Sequence, residues 1–405
     1  MSREDDTARR SLLHNRNFML LWGGQLVSWV GTEVTGIALP LLVLALTGSP
    51  ATAGLVAAER SAIYVLLALP AGTLLDRWDR RRVMVLANAG SGIALGSICV
   101  ALLVGHLSVA LLFLACAVEG ACFVFANLAR FTALRHVVPP ADYPAAVAQN
   151  SMADHLALLL GPPLGGFLYQ LAGAGAALLV DVCSYVVNAF SVFAITIPFQ
   201  EPRERAPATL ATDIRLALRW VWSQPVLRQL NLLSAGRIAV TSGLYLLIIV
   251  LARHDHASSA AIGGIFAVSA LGGILGAAAA GRLYHRLRAR TVLWVTTGVT
   301  WILVTCYLAA ANVFLITMVT AGVYCIDPLF EIALRTRTNV DIPDAIRGRV
   351  LSVFRVVELG SYSLGFSVTG LLLQYAGSGA AIGCLAGILF VLTLFAKLNP
   401  AFRGL

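Results

Sequence analysis

The sequence predicts an all-α integral membrane protein with twelve transmembrane helices in two six-helix bundles related by pseudo-symmetry, and with both termini in the cytoplasm. Three observations predict it. Of 405 residues, 59% are hydrophobic and 12% are charged, whereas a soluble domain carries about 25% charged residues. A chain this apolar has too little polar surface to coat its own core, and a bilayer removes that need. The apolar residues also fall in runs of the length needed to cross a hydrocarbon layer, about 20 residues for about 30 Å. Finally, the basic residues segregate to alternate connections, as the positive-inside rule requires.

A mixed-charge tail, 1–16, comes first. The apolar stretch after it is too long for the core of a cleavable signal and lacks a clear cleavage site, so it reads as a signal-anchor first helix. The runs place helix 1 at 17–46, helix 2 at 51–75 and helix 3 at 83–104. Helix 4 is expected at 107–129, helix 5 at 145–171 and helix 6 at 174–197. After a polar break come helix 7 at 230–251, helix 8 at 260–281 and helix 9 at 291–310. Helix 10 is expected at 313–334, helix 11 at 350–372 and helix 12 at 379–397, followed by a tail, 398–405. With the N-terminus inside, all but four of the 29 basic residues lie in cytoplasmic segments. The four are Arg253 in an outside turn and Arg60, Arg237 and Arg355 within helices; Arg130, Arg135, Arg335 and Arg337 count as loop residues. This asymmetry accounts for the net charge of +9, which is therefore no sign of nucleic-acid binding.

The division at 199–229 separates an N-terminal bundle, 17–198, from a C-terminal bundle, 230–397. Glu201-Pro-Arg-Glu-Arg-Ala-Pro207 opens this linker as a loop. The stretch 209–223 then reads as an amphipathic helix lying along the interface, with Leu210, Ile214, Leu218, Val221 and Trp222 on one face. The halves resemble each other. Gly72 to Arg81 follows helix 2 and Gly281 to Arg290 follows helix 8, with Gly, Leu, Arg and the final Arg in register. Ala133-Leu134-Arg135 likewise matches Ala333-Leu334-Arg335. Such parallel repeats imply a pseudo-two-fold axis with a site between the halves.

Three stretches carry a family resemblance: Asn17 to Leu26 with Ala38 to Leu42 and Leu46 to Pro50, then Gly72 to Arg82, and Gly161-Pro-Pro-Leu-Gly-Gly166. Over nearly its whole length the chain resembles the major facilitator superfamily, drug-exporter branch, which includes macrolide-efflux and enterobactin-exporter proteins. The resemblance implies a secondary transporter that exports amphipathic drugs or natural products by proton antiport and alternating access. It also implies a bacterial cytoplasmic membrane, a monomer, and no cofactor beyond the proton gradient. In the loop motif, Gly72 would permit close packing of helices 2 and 11, and Asp76 would face the positive end of helix 11. Arg77, Arg80 and Arg81 would bridge to acidic groups and lipid phosphates, although a basic loop also simply fixes orientation. Gly161, Pro162, Gly165 and Gly166 would bend and thin helix 5, for gating or for plain close packing. The chain departs from the family pattern with Asp79 where Gly is usual and with His285 in place of the second acid.

Ionisable residues within spans are expensive and mark function by default. Glu33 is deep in helix 1, with Trp29 and Gln25 about one and two turns earlier. It would carry a proton between the two sides and compete with substrate. Glu59, Glu119, Asp181 and Arg237 are further cavity candidates, and Glu59 and Asp181 could instead be hydrated at the outer interface. Asp327 and Glu331 share a face of helix 10 and could answer the arginines near loop 10–11, while Arg355 and Glu358 suit an ion pair on helix 11. Trp22, Tyr64, Phe123 and Tyr245 add apolar lining for an amphipathic ligand.

Other classes fare less well. A phosphate-binding Gly-rich lysine motif is absent and Lys397 is the sole lysine, which disfavours an ATP-driven pump. The His254-Asp255-His256 cluster is the one candidate metal site of a membrane-embedded enzyme, and it reads as a solvated turn. Seven cysteines, odd in number and irregularly spaced in apolar runs, read as small packing residues, so no metal is expected. An uptake carrier or a narrow-substrate metabolite exporter is the nearest alternative.

Overall fold

A computed structural model describes residues 12, 14–75, 77–199, 218–310, 312–342 and 344–402. Its first helices are α1 (Arg16–Thr47), α2 (Pro50–Leu75), α3 (Arg80–Leu103) and α4 (Val109–Val137). The next helical stretch, Tyr143–Phe193, is interrupted at Gly173, whose φ of 78° and ψ of −179° are non-helical. Only glycine adopts that backbone without strain. Two helices therefore meet there, α5 (143–172) and α6 (174–193), where the sequence places the boundary. They are followed by α7 (Pro225–His254), α8 (Ser259–Tyr284) and α9 (Ala289–Cys306). The last three are α10 (Val313–Asp341), α11 (Asp344–Tyr375) and α12 (Gly377–Leu398). Among the described residues there is no strand. Among the described residues, eleven helical stretches are long and apolar enough to cross a bilayer, one of them the 54-residue Pro140–Phe193 that is broken at Gly173.

The starts are capped as the sequence allows. Asp79, Ser108, Ser258 and Asn312 each accept a hydrogen bond from the backbone N–H three residues on, satisfying a donor the helix cannot. Asp79, the departure from the family's glycine, is thus the N-cap of α3. Several helices outrun their apolar runs: α4 continues to Val137, α7 begins at Pro225 and α10 continues to Asp341. Hydropathy marks the hydrocarbon slab, whereas helical hydrogen bonding continues through the headgroup region. Arg130, Arg135, Arg335 and Arg337 are therefore helical residues, not loop residues.

The chain forms two compact units. Unit 1 covers Met1–Leu42 and Ile63–Ala206, and unit 2 covers Val43–Ala62 and Pro207–Leu405. The hairpin Val43–Ala62 thus packs within unit 2, although it precedes the central linker. A Cβ added at Gly54 would lie 2.5 Å from the Phe366 carbonyl oxygen and 3.0 Å from Cα of Gly370. Close packing of α2 on α11 therefore runs through Gly54 and Gly370.

In unit 1, Leu12 is buried with Phe18, Leu75, Met84, Leu134 and Phe199, which ties the end of the N-terminal tail to the core. An added Cβ at Gly161 would collide with the Cβ of Glu33, and one at Gly165 would lie 2.7 Å from the Val34 carbonyl oxygen. The helix-5 glycines thus serve close approach of α5 to α1, the small-residue packing that lipid-embedded helices use. In unit 2 an added Cβ at Gly272 would lie 2.6 Å from the Ala321 carbonyl oxygen, and one at Gly276 would collide with that of Cys325, so α8 and α10 pack the same way.

Of the amphipathic linker helix, Leu210 and Ile214 lie outside the described residues. Its last turn, 218–223, is helical. There Val221 is buried beside Leu227, Ile342, Val350 and Phe354, while Leu218 and Trp222 are exposed. The expected shared face is split, because the break before Pro225 turns Val221 into unit 2's core.

Candidate functional site

Four helices of unit 1 bring a polar face together. Gln25, Ser28, Trp29 and Thr32 of α1 recur at helical spacing, and with Asn88 and Ser91 of α3, Phe123 and Asn127 of α4, and Tyr185 and Asn188 of α6 they line a cavity. It offers about 20 Å³ to a water-sized sphere, enough for a water molecule and far below the roughly 300 Å³ of a drug site. Its polar groups are ordered in sequence. The Met84 carbonyl accepts from Asn88 Nδ2 at 2.7 Å, and Asn88 Oδ1 accepts from Asn188 Nδ2 at 3.0 Å.

The expected carboxylates Glu33, Glu119 and Asp181 lie on helices that line this cavity but not in its lining, and Glu59 belongs to unit 2. Glu119, 6% exposed, accepts the Tyr185 hydroxyl at 2.7 Å. Asp181, 1% exposed, accepts from Thr35 at 2.7 Å and from Ser184 at 3.0 Å, and Gly31 leaves room for both α6 side chains. Asp181 is therefore a buried, hydrogen-bonded residue and is not hydrated at an interface. Glu33 lies at the edge of the α1 polar face, its Cβ against Gly161. Glu59 is half-buried in α2, and its Oε2 has no hydrogen-bond partner among the described residues.

Arg130 was not foreseen. It is 7% exposed, stacks over the Trp29 ring at 4.6 Å and the Phe131 ring at 4.7 Å, and donates to Asn127 at 3.2 Å. The signal was available in the polar Asn127 three residues before it, but the end of the apolar run hid it. Tyr64 and, from α5, Asp154 lie within electrostatic range of it.

Unit 2 holds a charge pair in the corresponding helices. Arg237 of α7 donates to Asp327 of α10 at 2.6 Å and to Thr300 at 3.4 Å, and it stacks over Phe330 at 4.1 Å. Asp327 is thus paired through space. Glu331 pairs with Arg335 at 2.8 Å, one of the arginines near loop 10–11, and Arg355 with Glu358 at 3.3 Å, as the spacing of the latter two suggested. The loop-motif arginines also find definite partners. Arg80 donates to the Phe199 carbonyl at 3.3 Å and Arg81 to that of Phe193, at the end of α6. The repeat partner of Arg81, Arg290, donates to the Lys397 carbonyl at the end of α12. In this structure Arg81 holds a carbonyl at the C-terminus of α6, where a cation is favoured, and Arg80 holds one in the chain that follows it. Arg77 is exposed, and Asp76 lies outside the described residues. His254 and Asp255 form an exposed turn, and no group of His, Cys, Asp or Glu among the described residues is placed to hold a metal.

The family model described as Major Facilitator Superfamily matches residues 21–358. The chain belongs to the Major Facilitator Superfamily. It is accordingly a transporter rather than an enzyme, a multi-pass protein of a bacterial cytoplasmic membrane. It is 26% identical to the multidrug efflux pump Tap of Mycobacterium tuberculosis (strain ATCC 25618 / H37Rv) over 404 residues, covering 96% of this chain and 94% of that one. It is also 26% identical to the enterobactin exporter EntS of Citrobacter koseri over 387 residues, covering 91% and 88%. Solved structures of superfamily size share the fold. A bacterial homolog of the human lysosomal transporter Spinster matches with TM-score 0.72 at 16% identity, covering 99% of this chain and 96% of that one. The nucleoside transporter NupG matches with TM-score 0.73 at 14% identity, covering 96% and 99%.

Proposed function

We propose that this transporter exports amphipathic small molecules from the cytoplasm by alternating access, in exchange for protons, as a monomer with twelve spans and both termini inside. The observation that carries this reading is the polar-aromatic cavity among α1, α3, α4 and α6, ringed by membrane-embedded carboxylates. Full-length likeness to named exporters supports the direction of transport. A carboxylate that binds a proton from one side and releases it to the other, in competition with substrate, gives antiport. Glu33, Glu119 and Asp181, on helices that line this cavity, are the carboxylates we assign to that role.

The test is accumulation of lipophilic antibiotics and dyes in efflux-deficient cells with wild type, Glu33→Gln, Asp76→Asn or empty vector, with and without a protonophore. Lower accumulation with wild type, abolished by the protonophore, is expected. Equal accumulation in all strains, with protein present in the membrane, would turn the reading toward uptake or a single metabolite. Undiminished pH-dependent transport by Glu33→Gln would remove Glu33 from the proton path.

A further inference from the structure

We propose that the corner of unit 2 where α9 begins and α12 ends binds the headgroup of an anionic phospholipid, with one phosphate shared by Arg290 and Lys397.

Two cations from different helices meet there. Arg290, in the first turn of α9, donates to the Lys397 carbonyl in the last turn of α12. Lys397, the sole lysine of the chain, lays its ammonium over the Trp294 ring at 5.3 Å. Trp294 lies one turn beyond Arg290 and packs against the unit 2 core, so the ring is a fixed seat for the ammonium. Like charges held close repel, and among the described residues neither cation makes an ion pair. An anion that both can reach removes that repulsion. Donors remain for it, because an ammonium and a guanidinium each carry more N–H groups than these contacts use. A phosphate also suits the guanidinium fork.

The surroundings select a lipid over a dissolved phosphate. Arg290 and Lys397 sit at the ends of two stretches apolar enough to cross a bilayer, Ala289–Ala309 and Gly377–Leu398. That is headgroup depth, where tryptophan is favoured as well. Val391, Leu394 and Leu398 are exposed at helical spacing along α12 and form an apolar strip leading to Lys397. A phospholipid can lay an acyl chain on that strip and its phosphate at the end of it, whereas a soluble phosphate gains nothing from the strip. A basic loop that only fixes orientation leaves its cations in solvent, as Arg282, Arg286 and Arg288 are, but Arg290 is half-buried on the α9–α12 seam. The repeat supplies a comparison. In unit 1, Arg81 holds the Phe193 carbonyl and lies over the Phe193 ring, but the last turn of α6 carries no basic residue to join it. The paired cations belong to unit 2.

The test is native mass spectrometry of the purified full chain with phosphatidylglycerol, with phosphatidylcholine of the same acyl chains, and with soluble glycerol phosphate. One basic group at an anionic membrane surface contributes about fivefold in affinity. Phosphatidylglycerol is therefore expected to bind about twentyfold more tightly than phosphatidylcholine, and glycerol phosphate at equal concentration should not displace it. Lys397→Gln, which leaves the carbonyl that Arg290 holds, should lower the preference about fivefold, as should Arg290→Gln. Lys397→Arg should keep it, and Arg81→Gln should leave it unchanged. Equal binding of the two lipids by wild type overturns the inference, as does a preference that survives both Lys397→Gln and Arg290→Gln. A loss with Arg81→Gln as large as that with Lys397→Gln would show a diffuse effect of net charge and overturn it too. Displacement by glycerol phosphate at equal concentration would overturn the lipid in favour of a free phosphate ester.

Discussion

Replacing Asp327 with Asn should destabilise unit 2 by about 2 kcal/mol, and by more than removing its partner does. Breaking one side of a buried ion pair costs about 3–5 kcal/mol, because the other charge is left buried and uncompensated. Here the buried side is Arg237, 3% exposed, whereas the Asp327 side chain is 45% exposed. The carboxylate is itself only half-buried, and Arg237 keeps the Phe330 ring, a contact of about 1–2 kcal/mol at a desolvated site. It also keeps Thr300, and Asn retains one acceptor oxygen. These terms reduce the loss to about 2 kcal/mol. Arg237→Met removes the buried charge together with its need for a partner and leaves an aspartate that is only half-buried, so it should cost only about 1 kcal/mol. The assay is equilibrium unfolding in mixed micelles for both single variants and the double variant, whose departure from additivity isolates the pair. An Arg237→Met variant less stable than Asp327→Asn, or single losses that simply sum to the double loss, would refute the reasoning.

Gly161→Ala should cost about 1–3 kcal/mol, since the new methyl meets the Cβ of Glu33 rather than a yielding side-chain tip. Gly264→Ala, where nothing lies within 4 Å, should be neutral or stabilising by up to about 1 kcal/mol; thermal unfolding in detergent compares the two. Asp79→Ala should lose about 1 kcal/mol as α3 loses its N-cap, with Asp79→Gly losing only a few tenths. Faster hydrogen exchange in the first turn of α3 reads that loss. Arg81→Gln and Arg290→Gln should each cost about 0.3–1 kcal/mol and loosen the ends of α6 and α12 respectively, again seen by exchange.

The fold was legible because the bilayer makes a simple demand, a run of apolar residues of fixed length, and the chain meets it openly. Even the α5–α6 turn is visible in the sequence Leu171-Ala-Gly-Ala174. What hydropathy cannot see is where a helix stops after leaving the hydrocarbon. Arg130 and Arg135 were for that reason assigned to a loop, and the residue beneath Trp29 was missed. Pairing of charges was legible where it is local, as for Arg355 with Glu358. Asp327 was misjudged because its partner is 90 residues away on another helix. The repeat of Arg81 in Arg290 could be read from spacing, but not that both would end on carbonyls, since a backbone acceptor has no letter in the sequence. Gly161 announced close packing without saying that Glu33 would be what it packs against.

The cation–ring bridges in the two units carry a lesson about duplicated proteins. Between the first and fourth helices of each half, the arginine sits on α4 and the ring on α1 in unit 1, but the arginine sits on α7 and the ring on α10 in unit 2. Between the third and sixth helices, Arg81 of α3 lies over Phe193 of α6, while Lys397 of α12 lies over Trp294 of α9. Partners have traded places twice. A column-by-column comparison of the halves scores Arg130 against Phe330 as a mismatch, although each belongs to the same kind of bridge. What the two halves have in common here is the bridge between two helices, with either helix supplying either end, so their likeness shows in pairs of positions where it fails in single ones.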